Sequence, residues 1–295
     1  MIQPHCLNES DTLRQVIIGS CERYRNITSV EEANNEKQAK HFVNGDLPTR
    51  ETLVPEFERF ASAMRECGIE VFTPDPCSED TGSRTQLFTR DIGFVIGDTF
   101  FLATMKMQSR KREFEGIKKY LDLISPAQVC QVPEDVILEG GDIVVDKGSV
   151  FVGVGGQRTT TEGVKFLERA LHGTGLTVVP VALRSLDRGE DVLHLDCAFV
   201  PVGAESALVY PEGIDQLPAV LSRTYDLIPV EREEQDGLEL NVLAISPSRV
   251  ISRDSAKRVN DEMQKRGIDV VEIAFNEAPM VGGSLRCCTL PLVRG

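Results

Sequence analysis

The sequence predicts an α/β fold in which five ββαβ modules close into a propeller with pseudo-five-fold symmetry, as a single domain over residues 1–295. The first observation behind this is a repeat: apolar, β-branched hairpins begin near residues 91, 142, 196 and 241, so a strand-rich unit returns about every 50 residues. The second is that each hairpin is followed by a helical stretch, and four of the helices by a further short strand. The third is that polar residues stand at equivalent points just ahead of the apolar runs, where a ring would make them converge on its axis. Two separate domains or a doubly wound sheet explain the repeat less well.

In chain order, LRQVIIGS (13–20) is the first strand, and Leu53, Phe57, Phe60, Ala61 and Met64 share one face of the first helix, before the strand GIEVFTP (68–74). Residues 28–51, rich in Glu, Asn and Lys, depart from the repeat; so long a segment is expected either as a lid over a site or as a solvated connection. DIGFVIGDTFFLATM (91–105) is a hairpin turned at Gly-Asp-Thr, with Phe114, Ile117 and Leu121 on the helix behind it. GDIVVDKGSVFVGVG (141–155) turns at Asp-Lys-Gly-Ser and leads to a helix carrying Val164, Leu167 and Leu171, then GLTVVPV (175–181). HLDCAFVPVGAESALVYP (194–211) is followed by a weaker helix near Leu217 to Leu221, where Pro218 sits early, and by YDLIPVE (225–231). LNVLAISPSRVIS (240–252), a helix with Ala256, Val259 and Met263, and GIDVVEI (267–273) form the last unit before the closing GGSLRCCTLPLVRG (282–295).

Composition narrows the function. With 46 acidic against 32 basic residues the net charge is −14, which repels phosphate backbones and anionic lipid and favours a cationic small molecule, so neither nucleic acid nor membrane is an expected partner. No stretch approaches the ~20 apolar residues of a bilayer span, and the first residues lack a basic region followed by an apolar run, so the expected location is cytoplasmic. The eight cysteines (positions 6, 21, 67, 77, 130, 197, 287 and 288) form no Cys-x-x-Cys pair and are expected as reduced thiols. They share no ligand spacing with the four histidines, so no metal is expected, and the phosphate-binding glycine motifs are missing.

The polar residues at the starts of the apolar runs are Asp91, Glu139 with Asp142, His194 with Asp196, Asn241, and the closing Cys287. Singly they are unremarkable: each aspartate also reads as a turn residue, Glu139 as a loop acid, His194 as a satisfied core histidine, and Cys197 and Cys288 as small hydrophobes. Converging on an axis, one Cys, one His and several carboxylates form a set suited to attack on a cationic carbon. Carboxylates hold a planar guanidinium through paired hydrogen bonds, a thiolate adds to its carbon, and His194 protonates the departing nitrogen.

FTRDIG (88–93), LEGGD (138–142), GQRTT (156–160), LHLD (193–196) and GGSLRCCTLPL (282–292), in that order, resemble the guanidino-modifying superfamily of arginine deiminases, dimethylarginine dimethylaminohydrolases and amidinotransferases. The resemblance runs over essentially the whole chain and implies the five-module propeller called the pentein fold. By position it implies Cys287 as nucleophile, His194 as general acid and base, and Glu139 as the acid supporting His194 and binding the guanidino group. Asp91 and Asp196 are implied as carboxylates on the outer nitrogens, and Arg110 and Arg158 as the clamp for an α-carboxylate; Asp142 is a further expected substrate contact. The implied activity is a cofactor-free hydrolysis of arginine or an N-methylated arginine to citrulline and ammonia or an alkylamine. An amidinotransferase and a non-catalytic arginine sensor are the alternatives, and a homo-oligomer is compatible with all three. Asp196, where dimethylarginine hydrolases resemble this chain less, favours an unmethylated guanidine; Glu139 agrees with the hydrolases, and NESDTLRQVIIG looks like the opening of amidinotransferases. Strand alternation sets Cys287 and Cys288 on opposite faces, leaving Cys288 to packing and Gly282-Gly283 as a candidate gate.

Overall fold

In the computed structural model, which describes residues 1–78 and 83–295, fifteen strands form five three-stranded sheets with one shared plan. Two strands pair antiparallel as a hairpin, and a third, reached through helical chain, lies parallel to the second. The second module holds β3 (Gly93–Ile96), β4 (Thr99–Leu102) and β5 (Val129–Gln131), and the third β6 (Ile143–Asp146), β7 (Ser149–Val154) and β8 (Thr177–Ala182). The fourth holds β9 (Phe199–Val202), β10 (Ser206–Val209) and β11 (Asp226–Pro229), and the fifth β12 (Leu243–Ser246), β13 (Arg249–Arg253) and β14 (Asp269–Ile273). The first module joins distant parts of the chain: β1 (Leu13–Ile18) pairs parallel with β2 (Glu70–Phe72) and antiparallel with β15 (Thr289–Arg294).

Burial sets the radial order. The first strand of each module is almost wholly buried on both faces, as in β3, β6 and β9, whereas the third strands β2, β11 and β14 are partly exposed. Four apolar clusters join neighbouring modules around the ring. Ile17 and Leu290 of the first module pack with Val95 and Phe100 of the second, and Phe94 and Phe101 of the second with Ile143 and Val152 of the third. Phe151 of the third meets the edge of Phe199 in the fourth at 5.6 Å, within a cluster that reaches Val250 of the fifth. Leu243, Ile251 and Phe275 then pack with Leu13 and Phe60, which closes the circle.

Local chemistry explains the elements. Between β6 and β7, Lys147 and Gly148 both take positive φ (48° and 74°), the geometry of a two-residue turn matched to strand twist. The helices bury the faces expected of them: α2 (Arg50–Glu66) buries Leu53, Phe57, Phe60, Ala61 and Met64, and α4 (Thr161–Ala170) buries Val164 and Leu167. Pro218 caps α5 (Ala219–Thr224) from outside it, and Val259 and Met263 are the buried face of α7 (Lys257–Lys265). Phe114 and Ile117 lie in a 3-10 turn over Glu113–Ile117 that leads into the short α3 (Lys118–Leu121), where one continuous helix was expected.

The segment 28–51 is structured. Val30–Glu32 is a 3-10 turn and α1 (Glu36–Asn44) starts at Asn35, whose side chain accepts the Gln38 amide. This segment lies against α8 (Ala278–Val281), while α6 (Arg232–Asp236) is a single capped turn between the fourth and fifth modules. Among the described residues no helix is long and apolar enough to cross a membrane.

Candidate active site

The polar residues singled out in the sequence lie just ahead of the innermost strands: Asp91 before β3, Glu139 and Asp142 before β6, His194 and Asp196 before β9, Asn241 before β12 and Cys287 before β15. Because those strands surround the centre of the ring, their starts meet there. Asp91, Arg110, Arg158, His194 and Cys287 line one enclosed cavity, walled further by Asn34, Asn35, Phe88, Leu193 and Gly282. The cavity measures about 10 Å³, room for about one water molecule.

His194 and Glu139 form a buried ion pair. His194 Nε2 lies 2.9 Å from Glu139 Oε2 and its Nδ1 lies 3.7 Å from Asp91 Oδ1. Burial alone would favour the neutral ring, but Asp91, Asp142 and Glu139 outweigh it and push the His194 pKa up to about 10. The imidazolium is therefore the form present at neutral pH. Glu139 moves the other way: burial would raise it, yet the hydrogen bond and charge of His194, with Arg158 and Arg110, hold it below its ordinary value. Its other oxygen accepts the Lys106 amide at 2.8 Å.

Gly140 and Gly141 make this approach possible. A Cβ on Gly141 would stand 2.7 Å from both Asp91 Oδ1 and the His194 ring, and one on Gly140 would stand 2.2 Å from the Arg90 carbonyl oxygen. The two glycines let the loop ahead of β6 press against its neighbours.

Cys287 faces the cavity with its thiol directed to Asp196 Oδ2 at 3.6 Å. Its amide donates to Asn241 Oδ1 at 3.1 Å, and Asn241 Nδ2 donates to the Asp196 carbonyl at 3.0 Å, so one side chain pins both loops. The contact with Cys197, burial and the Asp196 charge all raise the thiol pKa well above its usual range, which favours the protonated thiol. Cys288 is fully buried in the core behind it.

Two of the expected substrate contacts lie elsewhere. Asp142 does not line the cavity: its oxygens accept the Leu195 amide at 2.9 Å and the Thr159 amide at 3.2 Å, so it fixes the loop carrying His194. Asp196 is fully buried behind Cys287 and bound by Arg286 Nη1 at 2.8 Å, so its carboxylate addresses the sulfur rather than the cavity. The residue before a strand can turn to either side of the loop, and packing decides which side each carboxylate takes here.

The two arginines reach the cavity already engaged. Arg110 bonds Asp91 Oδ2 at 2.6 Å, Glu113 Oε2 through two nitrogens at 2.9 and 3.1 Å, and the Phe88 carbonyl at 2.8 Å. Arg158 stands 3.6 Å from Glu139 Oε2 and donates to the Asn34 carbonyl. Gly282 ends α8 with φ 109°, lines the cavity and packs against Asn35, whereas Gly283 packs against Phe88. Sequence reasoning missed Glu113, Arg286 and Glu9, whose carboxylate binds Arg286 at 3.2 and 3.3 Å. Arg286 stands beside Cys287 in the Leu-Arg-Cys-Cys run, and that adjacency was the available signal.

Asp91, Glu139 and His194 each offer a ligand atom within 4.8 Å of the others. Those groups already neutralise one another and the two adjacent guanidinium groups, and a dication there would have to displace that pairing. Asp91 Oδ1 is buried without a hydrogen-bond partner, 3.7 Å from His194 Nδ1, and Asp91 lines the cavity.

The family model described as N,N dimethylarginine dimethylhydrolase, eukaryotic, matches residues 24–294. The uncharacterized protein YkgA of Bacillus subtilis (strain 168) is 36% identical over 291 residues, 98% of this chain and 95% of its own length. The arginine deiminase of Rhodococcus erythropolis is 26% identical over 259 residues, covering 70% of this chain, which spans 60% of that enzyme's length. Among solved structures, SxtG, an amidinotransferase from Microseira wollei in the saxitoxin biosynthetic pathway, is similar with TM-score 0.83 at 20% identity, over 99% of this chain and 97% of its own. DDAH from Pseudomonas aeruginosa, complexed with citrulline, is similar with TM-score 0.73 at 18% identity, over 95% and 99%. Both likenesses are of fold, and the propeller is the pentein fold of those proteins.

Proposed function

The chain belongs to the N,N dimethylarginine dimethylhydrolase family, within the guanidino-modifying superfamily, and from that premise we propose that it is a cysteine-dependent hydrolase of the guanidino group of arginine or an N-methylated arginine. The observation that carries the reading is one cavity holding the Cys287 thiol, the His194 imidazolium backed by Glu139, and the unpartnered Asp91 Oδ1. A guanidinium entering the cavity donates to Asp91 and brings positive charge beside Cys287, which favours loss of the thiol proton toward Asp196. The thiolate forms a bond to the guanidino carbon. His194 gives its proton to the departing nitrogen, the C–N bond breaks, and ammonia or an alkylamine leaves. Neutral His194 then takes a proton from water as its oxygen attacks the thiouronium carbon. The C–S bond breaks, giving citrulline and returning Cys287.

Asp196 stands beside the Cys287 sulfur and is bound by Arg286, and both arginine and its methylated forms belong to the proposed substrate class. Because the cavity has room for about one water and Asn34 and Asn35 wall it, entry also requires the segment 28–51 to lift, which makes it the proposed lid. The eight free cysteines support a reducing, cytoplasmic location.

The test is incubation of purified protein with arginine, asymmetric dimethylarginine or agmatine, with and without glycine, followed by identification of products. Citrulline with ammonia or dimethylamine is expected without glycine, and Cys287→Ser is expected to lose at least ~1000-fold in kcat. Turnover that requires glycine overturns the reading in favour of an amidinotransferase. Binding without turnover in the parent overturns it in favour of a sensor.

A further inference from the structure

Cys197 has no part in the chemistry above, yet it shares the environment of Cys287. Its sulfur lies 3.6 Å from Asp196 Oδ1, while the Cys287 sulfur lies 3.6 Å from Oδ2 of the same carboxylate. The two thiols therefore flank one carboxylate, and the Cys197 thiol is the leading influence that raises the Cys287 pKa. Their backbones are tied by Asn241, which accepts the Cys287 amide and donates to the carbonyl of Asp196, the residue before Cys197. Both residues are buried, at 4% and 2% exposure, and only Cys287 opens on the cavity.

We propose that Cys197 is the resolving thiol for Cys287, so that peroxide converts the pair to a reversible disulfide that switches the site off. This rests on the reading of Cys287 as the reactive thiol. Hydrogen peroxide, admitted when the covering segment lifts, oxidises Cys287–SH to the sulfenic acid with release of one water. The Cys197 sulfur then attacks the Cys287 sulfur, forming the S–S bond and expelling the hydroxyl, which takes up the Cys197 proton and leaves as a second water. A dithiol reverses the change, returning both thiols and becoming a cyclic disulfide itself. Without a thiol in reach, sulfenic acid proceeds to the sulfinic acid, which dithiols do not reduce. Cys288 is the neighbour in sequence, but it is fully buried in the turn ahead of β15, near Cys21, and does not line the cavity.

Burial and the adjacent Asp196 disfavour the Cys287 thiolate, so the first step accelerates as pH rises. The experiment treats the whole protein with hydrogen peroxide, blocks remaining thiols with an alkylating agent, and maps unreduced peptides by mass. The expected product is one peptide pair joining Cys197 to Cys287, lighter by two hydrogens and formed faster at higher pH. Dithiothreitol should restore the thiols and the activity. In Cys197→Ser the same treatment should drive Cys287 to sulfinic acid, with dithiothreitol recovery lost. Cys287 in the parent reaching sulfinic acid while Cys197 is alkylated, or Cys287 joined to Cys288, overturns the proposal. The cross-link is read without substrate, so a protein that forms it but leaves guanidines untouched refutes the functional reading alone.

Discussion

Replacing Glu9 by Gln removes one negative charge from a buried cluster of cations, and the structure sets the size of the effect. The Glu9 carboxylate contacts Arg286 at 3.2 and 3.3 Å, Arg90 at 3.7 Å and Arg294 at 3.8 Å, with all four residues almost fully buried. Burial alone would raise the Glu9 pKa, but the three arginines lower it from 4.5 to about 2. That preference for the ionised form corresponds to about 3 kcal/mol. Breaking a buried ion pair from one side costs a similar ~3–5 kcal/mol. The loss also leaves Arg90, whose pKa burial and Arg286 already lower to about 10, beside Arg286 and Arg294 with Asp196 as the remaining carboxylate. Because the folded pKa is the lower one, the contribution is fully present above about pH 4.5 and is lost as pH falls through about 2. Urea unfolding of parent and Glu9→Gln should therefore differ by about 3 kcal/mol at neutral pH, and the gap should narrow toward pH 2. A neutral-pH difference under ~1 kcal/mol, or a gap that widens in acid, would refute the assignment of Glu9 as the counter-charge of this cluster.

The His194 pKa is raised from 6.5 to about 10, so its contribution is fully present below pH 6.5 and lost as pH rises through 10. Stability of the parent should fall across that window and the fall should shrink in His194→Asn, as read from urea midpoints. Gly141→Ala would set a methyl group 2.7 Å from Asp91 and His194; circular dichroism should stay native while kcat/KM drops ~100-fold through misplacement of the acid. Asn35→Ala removes both the bond to the Val281 carbonyl and the cap of α1, at a cost near 1 kcal/mol, so alkylation of Cys287 should quicken about fivefold as the cover opens more often.

The modules were legible because their inner strands are buried on both faces and read as unbroken apolar runs such as Phe199–Val202. Turn residues marked where each run folded back. Val129–Gln131 escaped notice because it is three residues long and half-exposed, too short for any period to emerge. Helix α1 was hidden for a different reason: only Gln38 is buried, so no apolar stripe existed to find, although Asn35 followed by Glu36 was a capping signal. The convergence of Asp91, Glu139, His194 and Cys287 followed from their equal positions in the repeat. The direction of Asp142 and Asp196 did not, since in the 3-10 turns over Gly140–Asp142 and Leu195–Cys197 a carboxylate reaches backbone amides or a buried arginine as readily as a cavity. Glu9 and Arg286 lay outside expectation because charged side chains are seldom fully buried unless paired, and the pairing spans the chain.

That pairing also explains why the Cys287 thiol sits where the ring closes. Cys287 lies just ahead of β15, whose partner β1 comes from the far end of the sequence, so the sulfur arrives only when the first sheet is complete. Arg286 reaches from the same loop to Glu9 and to Asp196, and the Glu9 amide binds Asp146 in the third module. Arg294, in β15, bonds the carbonyls of Asp11 and Ala244. Closure thus brings the buried cations into register with their carboxylates, and one of those carboxylates, Asp196, holds the thiol. An incompletely closed ring would leave Arg286 without its counter-charges and Cys287 without its acceptor. The fold therefore couples the cost of unpaired buried charge to the assembly of the reactive thiol, and disturbing the cluster at Glu9 should alter Cys287 reactivity from outside the cavity.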